Sequence, residues 1–160
     1  MVLYRQKLPD KAMLRISKLS DYAILVMVEL NEQHGEVLNA HSLAELTHLE
    51  LPTVSKVLKL LSRAGLVESF RGMNGGYAMN REAGSISVAE IITAIEGPIA
   101  MTECSVEVGL CSQEQVCNLR SNWRRISSAV ARAMEGLTLA EMSRPIQRLE
   151  PALNIATLNS

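Results

Sequence analysis

Residues 41–80 read HSLAELTHLELPTVSKVLKLLSRAGLVESFRGMNGGYAMN, and their signals run in the order of a helix-turn-helix and then a wing. Ser42, with Glu45 three residues on, forms a capping box that predicts a short helix over Leu43–Thr47. A tight turn through His48–Leu51 comes next, and Pro52 suits the first turn of a second helix, where its missing N–H costs nothing. Over Thr53–Ala64 the apolar residues Val54, Val57, Leu58 and Leu61 recur at helical spacing, and Gly65 ends the segment. Two short helices joined by a tight turn, the second amphipathic, place a recognition helix at Thr53–Ala64. The next residues, LVESFRGMNGGYAMN, alternate as two short strands around a Gly-rich tip with an Asn-Gly pair. A hairpin directly after a recognition helix is a wing.

The face of that helix opposite its apolar stripe carries Thr53, Ser55, Lys56, Lys59 and Arg63. Between residues 53 and 71 the cations Lys56, Lys59, Arg63 and Arg71 stand against Glu68 alone, in a chain whose net charge is −1. Positive charge is concentrated where a DNA groove would lie, as phosphate neutralisation requires. Thr53, Ser55 and Lys56, near the helix start, are candidates for base edges and phosphates, and Arg71 on the wing for the minor groove.

The totals exclude several classes. Among 160 residues, 48% are hydrophobic but only 3% aromatic, so aliphatic residues and Met must fill the core. The low aromatic content also argues against recognition of single strands by stacking bases on exposed rings. The longest strongly apolar run, Ala23–Val28, is bounded by Asp21 and Glu29 and is too short to cross a bilayer. Residues 1–12, MVLYRQKLPDKA, have neither the apolar stretch nor the small-residue site of a secretory signal and read as a polar extension. A cytoplasmic protein without a membrane partner is expected.

Ser17 or Ser20 can cap a first helix running to about Asn31, apolar almost all round and hence central. Ser87 with Glu90 forms a second capping box, and Val88, Ile91, Ile92 and Ile95 give that helix one apolar face before Gly97-Pro98 ends it. It is expected to connect the DNA-reading domain to the cysteine-bearing segment. All three cysteines fall in that one segment, Cys104, Cys111 and Cys117, spaced Cys-x6-Cys-x5-Cys. In a reducing compartment such crowded thiols point to ligands or redox groups rather than a structural disulfide. A Zn site needs a fourth ligand and normally shorter spacing, while a thiol–disulfide switch is chemically sensible, so the residues alone leave both open beside a cluster. After Cys117, Leu119, Trp123, Ile126, Val130, Ala133, Leu137 and Ala140 alternate spacings of four and three, the heptad of a helix–helix seam. His34, His41 and His48 read as surface or turn residues, and no phosphate-binding Gly-rich loop or other substrate motif is present, so neither an enzyme nor a small-molecule substrate is expected.

The segments RISKLSDYA (15–23), RGMNGGYAM (71–79) and ISVAEIITAIEGPIAMTEC (86–104), the three cysteines and the Leu119–Trp123 run LRSNW resemble the Rrf-type iron–sulfur transcription regulators. Within that family the likeness is to the branch regulating SUF iron–sulfur assembly operons. The resemblance covers roughly residues 13–142. It implies a homodimer of winged helix-turn-helix subunits binding a double-stranded DNA operator, with a [2Fe–2S] cluster held by Cys104, Cys111 and Cys117. It also puts the family's wing arginine on Arg71 and its recognition-helix contacts around Pro52–Lys56. Such clusters take four ligands, usually thiolates. Where one branch carries a His three positions after its third cysteine, this chain has Arg120, which cannot ligate. Another branch borrows an Asp from the first helix of the partner subunit, and the matching residue is Asp21. A capping role for Asp21, or ligation by Glu103, Glu107 or Glu114, are the alternatives.

The expected fold is therefore mainly α: an N-terminal extension (1–12), a winged helix-turn-helix domain with its connector helix (13–97), a cysteine loop (98–117), a long dimerisation helix (118–142) and a tail (143–160). The expected function is a cluster-responsive regulator, a repressor of SUF-type assembly genes. The alternatives are a winged-helix regulator sensing oxidant or metal through a disulfide or Zn site, and an iron–sulfur carrier, which would leave the wing and the charged helix face unexplained.

Overall fold

The computed structural model describes residues 15–33, 35–106, 112 and 117–144; the extension 1–12 and tail residues 145–160 lie outside them. Helix α1 (Lys18–Glu32) opens at Ser17, whose extended backbone and side chain cap the helix by accepting the Ser20 N–H at 3.2 Å. Ser20 is thus not the cap; it is buried one turn in. Ala23, Val26, Met27 and Leu30 are wholly buried, and α1 packs against every other helix of the DNA-reading domain, as its all-round apolar sequence requires.

Helix α2 (Ala40–Thr47) starts three residues before the expected Leu43. The cap is Asn39, not Ser42: the Asn39 Oδ1 accepts the Ser42 N–H at 2.8 Å, and Ser42 lies inside the first turn. Asn is as good a cap as Ser, and the better-placed residue wins. His48 closes the helix in the left-handed region (φ 54°), making the tight turn into α3 (Leu51–Arg63), with Pro52 in its first turn. At the far end of α3 the Leu66 N–H donates to Leu61 O (3.0 Å) and the Gly65 N–H to Ser62 O (3.1 Å), a Schellman motif with Gly65 at φ +73°.

That motif turns the chain directly into the wing, β1 (Val67–Phe70) paired antiparallel with β2 (Gly76–Met79), Val67 opposite Met79 and Phe70 opposite Gly76. The wing is also fixed to the body. Leu38, between α1 and α2, exchanges two backbone hydrogen bonds with Tyr77 at 2.9 and 2.7 Å.

After a 3-10 turn (Ala83–Ser85), α4 (Val88–Glu96) begins with the Ser87/Glu90 capping box the sequence predicts. The Ser87 N–H, and Arg81 at 2.6 Å, hold the Glu90 carboxyl below the usual carboxylate range. Helix α4 is more than the expected connector: Val88, Ile91 and Ile92 lie in the core, and it packs on α1, α3 and the later helix α6 (Arg120–Glu135).

The C-terminal part is α5 (Glu103–Val106), α6 (Arg120–Glu135) and α7 (Leu139–Met142). The single helix expected over 118–142 is broken. Gly136 ends α6, and a third capping box, Thr138 with Glu141, restarts the chain as α7. Backbone bonds from Leu139 N to Ile86 O and from Val88 N to Leu137 O, both 2.8 Å, then pull Leu139 wholly into the core. Ala140 therefore belongs to α7 and not to the α6 seam. Among the described residues no helix is long and apolar enough to span a membrane.

Gly76 is the tightest point of the wing anchor, because a Cβ there would run into the Leu38 carbonyl. Gly76→Ala should cost about 1–3 kcal/mol, the usual range for overpacking, read as a lower thermal midpoint. An unchanged midpoint would show that the Leu38–Tyr77 rung does not hold the wing.

Candidate nucleic-acid interface and sensor arm

Val54, Val57, Leu58 and Leu61 are wholly buried against the core, which fixes the rotation of α3. At 3.6 residues per turn, Pro52, Lys56, Lys59 and Arg63 fall within an outward arc of about 60°, and all four are exposed. Ser55 is exposed on the flank of that arc, while Thr53 is half-buried on the other flank, its N–H bonded to Glu50 O at 3.0 Å. Arg71 is exposed immediately after β1, on the wing that follows the recognition helix. Among the described residues, Lys56, Lys59, Arg63 and Arg71 form no ion pair; the two pairs present are His41–Glu45 and Arg81–Glu90. Three cations without acidic partners on one face of α3, with Arg71 on the wing that follows, form a surface suited to phosphates.

The candidate cluster ligands are spread differently. Asp21 is exposed in the first turn of α1 and borders a groove with Ile16, Lys18, Met134 and Leu137. Its carboxylate makes no hydrogen bond or ion pair among the described residues, and the cap of α1 is Ser17. Cys104 falls in α5, Cys117 is a half-buried free thiol just ahead of α6, and Cys111 lies outside the described residues, as do Glu107 and Glu114. Among the described residues no three His, Cys, Asp or Glu side chains converge as a metal site. Within one chain Asp21 and Cys117 sit at opposite ends of α6: from Arg120 to Met134 the helix rises about 21 Å.

The arm leading to Cys104 is tied at two points that sequence patterns did not reveal. Glu96, the last residue of α4, accepts hydrogen bonds from the Ser20 hydroxyl and, at 3.3 Å, from the Ser17 N–H. Those bonds, the Ser20 hydroxyl foremost, hold the Glu96 carboxyl below its ordinary range. Further on, the Met101 N–H donates to the buried Ser127 Oγ on α6 at 3.0 Å. The heptad stripe of α6 is largely uncovered: Leu119, Trp123 and Ile126 are 56%, 37% and 44% exposed and Ala133 is exposed, while half-buried Val130 borders the arm at Ile99 and Met101.

A winged helix-turn-helix with an unpaired basic edge defines a DNA-binding transcription regulator. Residues 16–145 match the Rrf2 family, described as iron-dependent transcriptional regulators, and the chain belongs to that family. It is 30% identical over 131 residues to the HTH-type transcriptional regulator IscR of Enterobacter sp. (strain 638), covering 81% of this chain and 79% of that protein, with the same figures for IscR of Klebsiella pneumoniae. Among solved structures it is similar to CymR, the global cysteine regulator of B. subtilis (TM-score 0.63, 31% identity, covering 81% of this chain and 96% of that one). It is also similar to T. potens IscR (TM-score 0.58, 29% identity, 81% and 85% covered) and to the oxidized form of Staphylococcus aureus CymR (TM-score 0.61, 26% identity, 83% and 98% covered). These relatives are regulators and not enzymes, in keeping with the sequence.

The basic edge makes a quantitative prediction. On a duplex selected from a random-sequence pool by the wild-type protein, Lys56→Ala, Lys59→Ala and Arg63→Ala should each lower the slope of log affinity against log salt by about one. A variant with an unchanged slope is not touching a phosphate.

Proposed function

We propose that the chain is a [2Fe–2S] cluster-responsive repressor that binds a pseudo-palindromic operator as a homodimer and controls iron–sulfur assembly genes of the SUF type, acting in the cytoplasm. The observation that carries this is the tying of one arm, bearing all three thiols of the chain, to both α1 and α6, while α1 also packs on the recognition helix.

The donor set suits the group: thiols are the ligands such clusters take, and Cys117 is neither disulfide-bonded nor sealed in the core. Cys104, Cys111 and Cys117 would hold the cluster, with Asp21 of the second copy as fourth ligand. When bound, it supplies an iron centre whose occupancy responds to iron supply and oxidants. The position of Asp21 supports ligation between subunits. An antiparallel pair of α6 helices, meeting along Trp123, Ile126 and Val130, would set the Cys117 end of one copy against the Asp21 end of the other. The same pairing covers the apolar stripe that a single chain leaves bare, and two-fold symmetry presents two recognition helices to two half-sites.

The alternative is a winged-helix regulator sensing through a disulfide or a Zn ion at the same cysteines. The likeness to CymR, one structure of which is an oxidized form, favours testing it directly.

Protein isolated without oxygen should contain iron and acid-labile sulfide in equal amounts and absorb in the visible; a colourless protein that resists reconstitution would pass the arm to Zn or thiol chemistry. Asp21→Ala should speed cluster loss, monitored as the decay of visible absorption, and leave the dimer intact by light scattering. Unchanged cluster lifetime would move the fourth ligand to another carboxylate.

A further inference from the structure

The wing carries an exposed side chain that neither the core nor the basic edge accounts for. Met73, at its tip, is 104% exposed, so none of the described residues covers it. The tip around it is stripped of bulk and folded into a tight turn. Gly72 lies at φ +110°, the Gly75 N–H closes the turn onto Gly72 O at 3.0 Å, and a Cβ on Gly75 would run into the carbonyls of Phe70 and Gly72. With glycines at 72, 75 and 76, the only side chains at the tip are those of Met73 and Asn74, with Arg71 just behind them, and all three are exposed.

Isolated apolar residues on a surface ordinarily mean little. This one stands between an arginine and an asparagine on a blade of backbone, at the tip of the wing that follows the recognition helix. A minor groove is only about 6 Å wide and shows mainly acceptors on its floor. Proteins that enter it read it with Arg and Asn and insert apolar side chains, Met among them, between base pairs. We propose that the wing tip enters the minor groove of the operator, Met73 wedging into a base-pair step while Asn74 hydrogen-bonds to the groove floor. The inference rests on the DNA-binding role of the wing and adds a specificity to it. An unbranched, polarisable side chain adapts to an opened stack, and pyrimidine–purine steps open at least cost. The operator should therefore carry a TA or CA/TG step where the wing lands, preferred without any hydrogen bond to the major-groove edge.

The test uses the full chain and a duplex selected from random sequence by the wild-type protein. Met73→Ala should weaken binding about tenfold, a typical cost for one lost base-pair contact, with the salt slope unchanged. It should also reduce the bend seen by energy transfer between the duplex ends, and Met73→Leu should restore both. Arg71→Ala should instead lower the salt slope. If Met73→Ala binds and bends like wild type while Arg71→Ala is weakened, the wing contacts DNA but the wedge is wrong. If both variants match wild type, the wing does not contact DNA and the inference falls with that role.

Discussion

What the recognition helix can offer to DNA depends on how one face of α3 is locked against the core. Val54, Val57, Leu58 and Leu61 are wholly buried, beside Met27 and Leu30 of α1 in the same cluster. Burying each such side chain contributes about 1.5–3 kcal/mol, far more than the orientation of any surface lysine could. Rotating α3 by one residue would expose part of that stripe and drive charged side chains inward, so the apolar edge dictates where Lys56, Lys59 and Arg63 point. The Schellman turn at Gly65 then sets the direction of β1, and the Leu38–Tyr77 rung sets the wing. The DNA-facing surface is a consequence of packing on its far side.

Helix α1 extends that dependence to the arm. Its first turn is bound by Glu96, at the point where the chain leaves the core for the cysteines, and carries Asp21 one residue beyond Ser20. Its middle packs on α3. Coupling between a sensor and a DNA-binding surface needs one element that both can bias, and α1 touches both. The exposed stripe of α6, large apolar side chains at helix-seam spacing, is where the proposed homodimer would pair.

Much of the DNA-reading domain was legible because its signals are local. The i, i+3, i+4, i+7 stripe, Pro52 and Gly65 are each sufficient within a few residues, and the structure places α3 and the wing where they indicate. Misreadings occurred where two local signals competed or where the partner was distant. Asn39 and Ser42 are both good caps, and only the fold shows that the chain turns helical at Ala40. The heptad to Ala140 looked continuous because Leu137 and Ala140 keep the spacing, but Gly136 and the Thr138–Glu141 box interrupt the backbone, and Leu139 is drawn to Ile86, 53 residues away in the chain. Helix α4 read as a connector because its apolar face does not say what it meets. The Glu96 contact, spanning 76 residues to Ser20, has no local pattern at all. Of the candidate cluster site, the donor types were legible; Cys111 lies outside the described residues, and among those described no three such side chains converge.

Under the proposed function, the state of the cysteine arm changes what the recognition helices bind. The most direct measurement is the affinity of anaerobically isolated protein for its selected duplex, at one fixed salt concentration, with the cluster intact and after its removal by a chelator. Affinities differing by about tenfold or more are expected, within the usual range of coupling between sites. Equal affinities in the two forms would contradict the claim and leave a DNA-binding protein whose cysteines serve another purpose.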